Sequence, residues 1–133
     1  MTHRILCGDL NTPQAETTNG EIITWGQRLS QDGTVAAPRG EDRRWDASER
    51  NILSGLGQFD LVDTYRRLHG YAARDFSWYL SRKGKTIGRR FDHVFASISL
   101  NATVCRYLHR FREEGLSDHS PIEVDFEPRE RDF

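Results

Sequence analysis

FDHVFAS, residues 91–97, decides the fold, because it reads as a strand core that begins with two polar side chains. Asp92 and His93 stand near its head, and mostly apolar residues follow. An ionised carboxylate is costly to bury unless it has a partner. We therefore expect Asp92 to face one specific group, and the identity of that group bears directly on function.

The segments around this strand repeat the alternation of apolar and polar side chains that is typical of half-buried strands. The alternating runs are residues 76–80, 91–97, 102–107 and 122–126. Ahead of them, the apolar residues 5–7 predict a short buried strand that leads into a loop. The pattern predicts an α/β fold of the α+β type, with a mainly antiparallel sheet of about five or six strands and helices on one face.

The middle of the chain is rich in turns and gives weaker indications. We interpret residues 21–25 and 34–38 as the two strands of one hairpin. Residues 45–57, WDASERNILSGLG, predict a helix, because a capping residue, an apolar stripe and a terminal glycine follow one another at helical spacing. Residues 59–70 predict a short strand followed by a helical turn.

Length and composition indicate one globular domain, residues 1–133. Of these residues, 36% are hydrophobic and 29% are charged, and the net charge is -1. No apolar run is long enough to span a bilayer, and the opening residues lack the apolar stretch of a signal peptide, so we expect a cytoplasmic protein with no membrane partner. Cys7 and Cys105 lie in apolar runs and are expected to be buried, reduced thiols.

Positive charge is concentrated in one loop, although the net charge is small. RKGKTIGRR, residues 82–90, carries five basic residues and no acidic one. Such a loop is typical of a solvated hairpin. Clustered Lys and Arg also supply the sequence-independent part of nucleic-acid affinity. The alternative interpretation of this loop is therefore a binding site for a phosphate backbone.

Polar residues that can carry chemistry stand in three pairs, each at the edge of a predicted strand. The pairs are Asp9 with Asn11, Asp92 with His93, and Asp118 with His119. Each has a plain structural interpretation: an Asx-turn for Asp9, a turn cap for Asp118, and a surface or half-buried strand position for His93. Together, carboxylates, an amide and a histidine are the groups that hold a hard cation and activate a water.

Four motifs, in order along the chain, resemble a known family. They are GDLNTP (8–13), DFSW (75–78), RRFDHVFAS (89–97) and GLSDHSPIEVDF (115–126). This combination is similar to the C-terminal half of the endonuclease/exonuclease/phosphatase superfamily. Within that superfamily it most resembles the exodeoxyribonuclease III and abasic-site endonuclease group. The resemblance implies about half of a four-layered α-β-β-α sandwich, and residues 14–70 follow it only loosely.

The resemblance also implies a partner for Asp92. In this family the aspartate of the RFD element lies against the histidine of the SDH element, so Asp92 is expected to orient and charge-stabilise His119. His119 would contact the scissile phosphate, either as a general acid-base or as a stabiliser of developing charge. Asp9 would accept the proton of the attacking water and contribute to the metal site.

Further roles follow from the same resemblance. Asn11 would hold a phosphoryl oxygen or help to position a metal, and Asp118 would lie at or beside Mg²⁺, with Mn²⁺ as the alternative ion. Trp78 resembles a pocket-lining aromatic residue, although a packed strand residue is an equally good interpretation. Arg89 and Arg90 of the basic loop are predicted to bind substrate. His93 receives no catalytic role.

One departure from the family pattern limits these expectations. The N-terminal half of the family domain is absent, and with it the glutamate that is the principal metal ligand. We therefore expect either part of a longer enzyme or a natural half-protein. Its protein partner would be the missing half or a second copy that forms a homodimer.

Two classes of function follow from this reading. The first is part of a magnesium-dependent phosphoesterase, most simply a nuclease acting on DNA phosphodiesters, with weak or no activity in the isolated chain. The second is a non-catalytic module that binds phosphate or self-associates. A phosphatase acting on another phosphoester stays open. A Ser-His-Asp hydrolase built on Ser117 or Ser120 is disfavoured, because there is no GxSxG elbow and both serines lie close to His119 in sequence.

Overall fold

The computed structural model describes residues 2–129, and the chain has an α+β fold. The strands are β1 Ile5–Asp9, β2 Ala15–Glu16, β3 Ile22–Ile23, β4 Arg28–Leu29, β5 Val35–Ala36, β6 Val62–Asp63, β7 Trp78–Arg82, β8 Lys85–Arg89, β9 Asp92–Ala96, β10 Ala102–Tyr107 and β11 Ile122–Phe126. The helices are α1 Asp42–Leu53, α2 Thr64–His69 and α3 His109–Glu113, and 3-10 turns cover Gly55–Phe59 and Ile98–Leu100.

A three-stranded sheet in the order β1-β9-β6 forms the centre of the fold. Its register places Asp9 opposite Asp92 and Ile5 opposite Ala96. β9 is the middle strand, and Phe95 on it is 1% exposed, so the segment that opened the sequence analysis forms the predicted buried strand. The predicted strand at residues 5–7 is also confirmed as β1, but all five of its residues are exposed.

The other strands of the described residues form four two-stranded pairs, and every pairing is antiparallel. The prediction of one sheet of five or six strands is therefore wrong. The pairing of β8 with β7 does not continue into β9. Between β8 and β9 the amides of Phe91 and Asp92 both donate to the hydroxyl of Ser77 instead, at 2.9 and 3.1 Å. A side chain takes the place of a neighbouring strand at this point.

The predicted hairpin between residues 21–25 and 34–38 is also wrong, because each of these segments pairs with a nearer neighbour. β3 pairs with β2, and β5 pairs with β4. Local turns close both hairpins: Gly20 N donates to Thr17 O at 3.1 Å, and Gly33 N donates to Ser30 O at 3.0 Å. Short-range turn chemistry decides the pairing.

Helix α1 begins at Asp42, earlier than the predicted start at residue 45, and it ends at Leu53 rather than at Gly57. Its first turn packs directly on Gly26, where a Cβ atom would lie 2.5 Å from Asp42 O. A larger residue at this position would therefore displace the helix. The predicted strand and helical turn over residues 59–70 are confirmed as β6 and α2, and the Asp63 carboxylate accepts from Arg66 N at 3.3 Å to cap α2.

The core lies between α2 and the β10-β11 pair. Tyr65, Cys105 and Tyr107 are each at most 5% exposed and pack together. Cys105 is a buried free thiol as predicted, whereas Cys7 is exposed on the outer strand β1. This packing fixes β10 and, through it, the C-terminal strand that follows the SDH element.

None of the helices within residues 2–129 has the length and apolar character needed to cross a membrane.

Candidate active site

Three of the predicted site residues meet at one end of the central sheet. Asp9 and Asp92 are a register pair at the ends of β1 and β9, and His119 arrives from the loop between α3 and β11. One donor atom from each of the three lies within 4.8 Å of the others. The antiparallel pairing of β1 with β9 brings Asp9 to Asp92, and a β-bridge between Trp78 and His119 places the histidine.

The predicted contact between Asp92 and His119 is present. Nδ1 of His119 lies 2.7 Å from Oδ2 of Asp92. Because the carboxylate can only accept, Nδ1 carries the proton, and the orientation of the ring is fixed. The other nitrogen, Nε2, points toward Oδ2 of Asp9 at 3.8 Å, which is too long for a direct hydrogen bond.

The surroundings of His119 favour its charged form. Partial burial opposes the charge, but the hydrogen bond and charge of Asp92, together with the charges of Asp9 and Asp118, outweigh it and raise the pKa of His119. The side chain is 23% exposed, so Nε2 is within reach of a ligand from solvent. The surroundings of His119 therefore favour an imidazolium N–H next to a carboxylate.

The two carboxylate oxygens of Asp9 have different neighbours, one in the following loop and one in the site. Its Oδ1 accepts from the amide of Asn11 at 2.9 Å, which is the Asx-turn expected from the GDLN sequence, and Asn11 has a positive φ of 52°. Its Oδ2 is the atom that faces His119. Asn11 is exposed beside this carboxylate, and its carbonyl accepts from the indole nitrogen of Trp25 at 2.8 Å.

The loop that carries His119 is anchored to the start of β7. Trp78 and His119 form a β-bridge, and Ser120 N donates to Ser77 O at 2.7 Å. The Trp78 ring stacks on Phe91, with centroids 5.5 Å apart and an interplanar angle of 26°. Trp78 is thus a half-buried, packed strand residue that adjoins the site, and its contact with substrate stays a prediction.

Asp118 does not join the group of three. It is exposed, and among the described residues the cluster of possible metal donors contains only Asp9, Asp92 and His119. The chain bends at Asp118, so that this carboxylate faces solvent while the next side chain turns to Asp92. Its role at or beside a metal stays a prediction, and its charge contributes to the raised pKa of His119.

The two arginines predicted to bind substrate have different surroundings. Arg90 is 3% exposed and its guanidinium is bound to Glu16 and Asp63, so the prediction that it contacts substrate is corrected: its donors are already used inside the protein. Arg89 is half-buried and lies over the ring of Trp25, with 5.5 Å between Cζ and the ring centroid. Burial lowers the pKa of Arg89.

Arg90 belongs to a buried ionic cluster that the sequence did not reveal. Glu16 accepts from Arg90 Nε at 2.8 Å and from Arg66 Nε at 3.0 Å. Burial alone would raise the pKa of Glu16, but the hydrogen bonds and charges of the two arginines lower it to about 2. Asp63 completes the cluster by accepting from Arg90.

His93 lies beside this cluster and is fully buried, at 0% exposure, which corrects the expectation of a surface or half-buried residue. Its Nε2 donates to Thr12 O at 2.7 Å. Its Nδ1 has no hydrogen-bond partner among the described residues and lies 4.0 Å from Oδ2 of Asp63. Burial, together with the charge of Arg90, lowers the pKa of His93, so the neutral ring is favoured.

A Ser-His-Asp arrangement does exist in the chain, but with a different histidine. His109 lies 2.8 Å from Ser120 Oγ and 2.7 Å from Asp75 Oδ1. Ser120 is 0% exposed and its hydroxyl also accepts from Arg112 Nε at 3.2 Å. A hydroxyl without access to solvent cannot attack a substrate, so this set anchors the loop that carries His119.

Two of the larger cavities, of about 480 Å³ each, lie elsewhere: one between β3 and α1, the other between α1 and α2. Asp9, Asp92 and His119 line neither of them. The candidate site lies at the end of β1 and β9, where Asp9 is exposed and Asp92 and His119 are partly exposed.

No family model, curated protein or solved structure matches the chain. The resemblance to the endonuclease/exonuclease/phosphatase superfamily accordingly stays a prediction, and function is inferred from the geometry of the site.

Proposed function

We propose that this chain is part of a magnesium-dependent phosphoesterase that hydrolyses nucleic-acid phosphodiester bonds. The observation that carries the proposal is the alignment of Asp92, His119 and Asp9, in which one carboxylate holds the histidine and the other faces its free nitrogen. Membership of the endonuclease/exonuclease/phosphatase superfamily, and with it half of a four-layered sandwich, is part of the same proposal.

The donor set fits a hard cation with few protein ligands. Oδ2 of Asp92 is used by His119, and Oδ1 of Asp9 by Asn11, so one oxygen of each carboxylate is free. Mg²⁺ keeps several waters and is bound through one or two carboxylates. Asp9 and Asp92 would hold such an ion together with the waters that it keeps, and the ion would neutralise phosphoryl charge and lower the pKa of a bound water.

The residues themselves perform three tasks. His119, held by Asp92 and favoured in its charged form, donates from Nε2 to a phosphoryl oxygen and stabilises the charge that develops there. Asp9 accepts a proton from the attacking water through its Oδ2; the water oxygen bonds to phosphorus as the bond from phosphorus to the leaving sugar oxygen breaks, and that oxygen takes up a proton from solvent. Asn11, exposed next to Asp9, offers its side-chain amide to a second phosphoryl oxygen.

The exposed positive charge of the β7–β8 hairpin favours a polyanionic substrate. β7 and β8 are joined at Lys83 and Gly84, and Arg82 and Lys85 flank this turn as exposed cations. β7 runs from Trp78, which bridges to His119, to Arg82 at the cationic turn, so this hairpin extends from the site to the turn. Such a placement suits a backbone that extends beyond the scissile phosphate.

The test is cleavage of an abasic-site DNA duplex and of a generic small phosphodiester, each with Mg²⁺ and with chelator. We expect slow turnover that requires the metal and that is lost in His119→Ala and in Asp9→Asn. His3→Ala is the matched control, since His3 is an exposed histidine whose Nδ1 contacts Ser99. Equal rates in His119→Ala and His3→Ala would overturn the proposal. Turnover of a phosphomonoester alone would replace it by a phosphatase.

Metal binding is tested separately, because two carboxylates hold an ion weakly. Mn²⁺ is the paramagnetic probe, and we expect it to broaden the NMR signals of Asp9 and Asp92 before those of other residues. Asp9→Asn should remove the effect. Broadening that is equal for exposed acids such as Glu113 and Glu114 would show that the ion binds only nonspecifically.

A second candidate function is a non-catalytic module that self-associates. The edge strand β1 exposes Ile5 at 52% and Leu6 at 42%, and its outer side pairs with no strand of the described residues. Free, apolar strand edges pair readily with other chains. Sedimentation of the wild type and of Leu6→Lys distinguishes the two: a dimer that dissociates in the variant, with no metal-dependent cleavage in either, would favour this module.

A further inference from the structure

Trp25 is an exposed aromatic residue that the protein holds in a fixed position beside the candidate site. Trp25 is 43% exposed, yet its indole nitrogen donates to Asn11 O at 2.8 Å. Its backbone amide donates to the carboxylate of Glu49 at 2.9 Å, and Glu49 is 7% exposed. Two contacts thus restrict an indole that does not enter the core.

The guanidinium of Arg89 lies over the Trp25 ring and places a positive charge there. Its Cζ lies 5.5 Å from the Trp25 ring centroid, within the range of a cation-π contact. Among the residues that the structure describes, no carboxylate forms an ion pair with Arg89. The neighbouring Arg90, by contrast, is bound by two carboxylates. A half-buried cation that has no anionic partner within the described residues is available to an anion from outside.

The Trp25 indole is connected to the candidate site through packed aromatic rings and through Asn11. Trp25 packs on Phe91 with ring centroids 6.4 Å apart, and Phe91 in turn stacks on Trp78 at 5.5 Å. Trp78 bridges to His119, and Asn11, which holds the indole, adjoins Asp9. Trp25 is therefore linked to the site through Asn11 on one side and through Phe91 and Trp78 on the other.

We propose that Trp25 and Arg89 form a subsite for one unpaired nucleobase and its phosphate, next to the scissile phosphodiester. This inference rests on the proposed function and names its substrate class: single-stranded or locally unpaired nucleic acid, rather than a sugar or lipid phosphate. Every nucleobase has a flat face that stacks on an aromatic ring, and an adjacent arginine adds a cation for the backbone. A phosphoester without a ring would use the cation only.

Binding without cleavage tests the subsite. The probe is a short, dye-labelled oligothymidylate in chelator, with an oligomer of the same length whose sugars lack bases as the comparison. Fluorescence anisotropy gives the Kd of each. We expect Trp25→Ala to raise the Kd of the oligothymidylate about 5- to 100-fold, as for the loss of one stacked base, and to leave the base-free oligomer unchanged. Trp25→Phe should restore most of the affinity.

Trp45→Ala is the matched control, since Trp45 on α1 is the more exposed tryptophan at 62%. Circular dichroism verifies that each variant is folded. The subsite is overturned if the wild type binds both oligomers equally, or if Trp25→Ala and Trp45→Ala bind oligothymidylate equally well. Metal-dependent cleavage lost in His119→Ala would then still support the proposed function. Base-dependent binding through Trp25 without any cleavage would instead retain the subsite and reject the hydrolase.

Discussion

Two polar clusters flank β9, and they contain similar groups in opposite surroundings. On one side Asp92 holds His119, which remains 23% exposed and keeps one nitrogen free. On the other side Arg90 and His93 lie with Glu16 in the interior, and all three are at most 8% exposed. Asp92 and His93, adjacent residues of β9, thus enter the open and the buried cluster because neighbouring side chains of a strand point to opposite faces, whereas Arg90 comes from the segment before the strand.

The difference lies in how many hydrogen-bonding atoms remain available. In the buried cluster the Arg90 guanidinium and the Glu16 carboxylate are bound to each other and to further partners. In the open cluster, Nε2 of His119 faces Asp9 across 3.8 Å and has no close partner there. Charge that is satisfied internally stabilises the fold, and charge that is left available can act on a ligand. The same acid-to-amide change should therefore have different consequences on the two sides.

The largest effect is expected for Asp92→Asn in the open cluster. The amide can no longer fix the protonated Nδ1 of His119 or stabilise its positive charge, so metal-dependent phosphodiester cleavage should fall about 100- to 10,000-fold. The free energy of unfolding, measured in urea, should change by less than about 1 kcal/mol because the pair is partly solvated. A large loss of stability with an unchanged cleavage rate would reverse the assignment of the two clusters.

Glu16→Gln in the buried cluster should act on stability instead. It removes the charge that compensates Arg66 and Arg90, which stay buried at 6% and 3% exposure. Breaking one side of a buried ion pair typically costs about 3–5 kcal/mol. Urea unfolding provides the measurement, and the pKa of His119 in the folded variant should stay at its wild-type position. A loss below about 1 kcal/mol would mean that the cluster is solvated.

The same cluster should make the fold sensitive to acid. The folded pKa of Glu16 is lowered to about 2 from an ordinary value of 4.5. A lowered pKa contributes stability that is present above pH 4.5 and is lost as the pH falls toward 2, on the order of 3 kcal/mol. Unfolding free energies of wild type and Glu16→Gln between pH 6 and about 2.5 test this. The two curves should converge at low pH, and parallel curves would exclude Glu16 as the source.

Ser120→Ala should have a smaller effect. The Ser120 hydroxyl joins His109 and Arg112, at 2.8 and 3.2 Å, next to the loop residue His119. Its removal leaves two buried groups with fewer partners, which costs about 1–3 kcal/mol. Metal-dependent cleavage should continue, because the hydroxyl is not the nucleophile. Complete loss of cleavage in a stable Ser120→Ala variant would support the Ser-His-Asp alternative.

The sequence predicted the open cluster better than the buried one. β9 was visible from its alternation, and the resemblance named His119 as the partner of Asp92. The ion pairs of Glu16 join residues 50 and 74 positions apart, and a strand pattern tells which side chains share a face but not what packs on that face. The pattern therefore groups Arg90 with the exposed basic loop and places Trp25 in an ordinary strand. The short strands were mispaired because local turns, not alternation, select their partners.

The smallest expected effect is the pH dependence that His119 contributes. Partial burial opposes its charged form, but the hydrogen bond and charge of Asp92 outweigh burial and raise its pKa above the ordinary value of 6.5. A raised pKa adds stability that is fully present below pH 6.5 and is lost as the pH rises through the folded pKa. Titration of the His119 ring signals by NMR measures this pKa directly. Asp92→Asn should lower it, whereas Asp75→Asn, the same change at the partner of His109, should leave it in place. An unchanged His119 titration in Asp92→Asn would mean that the contact between the two side chains does not govern the charge of the histidine, and the open cluster would lose its distinction from an ordinary surface pair.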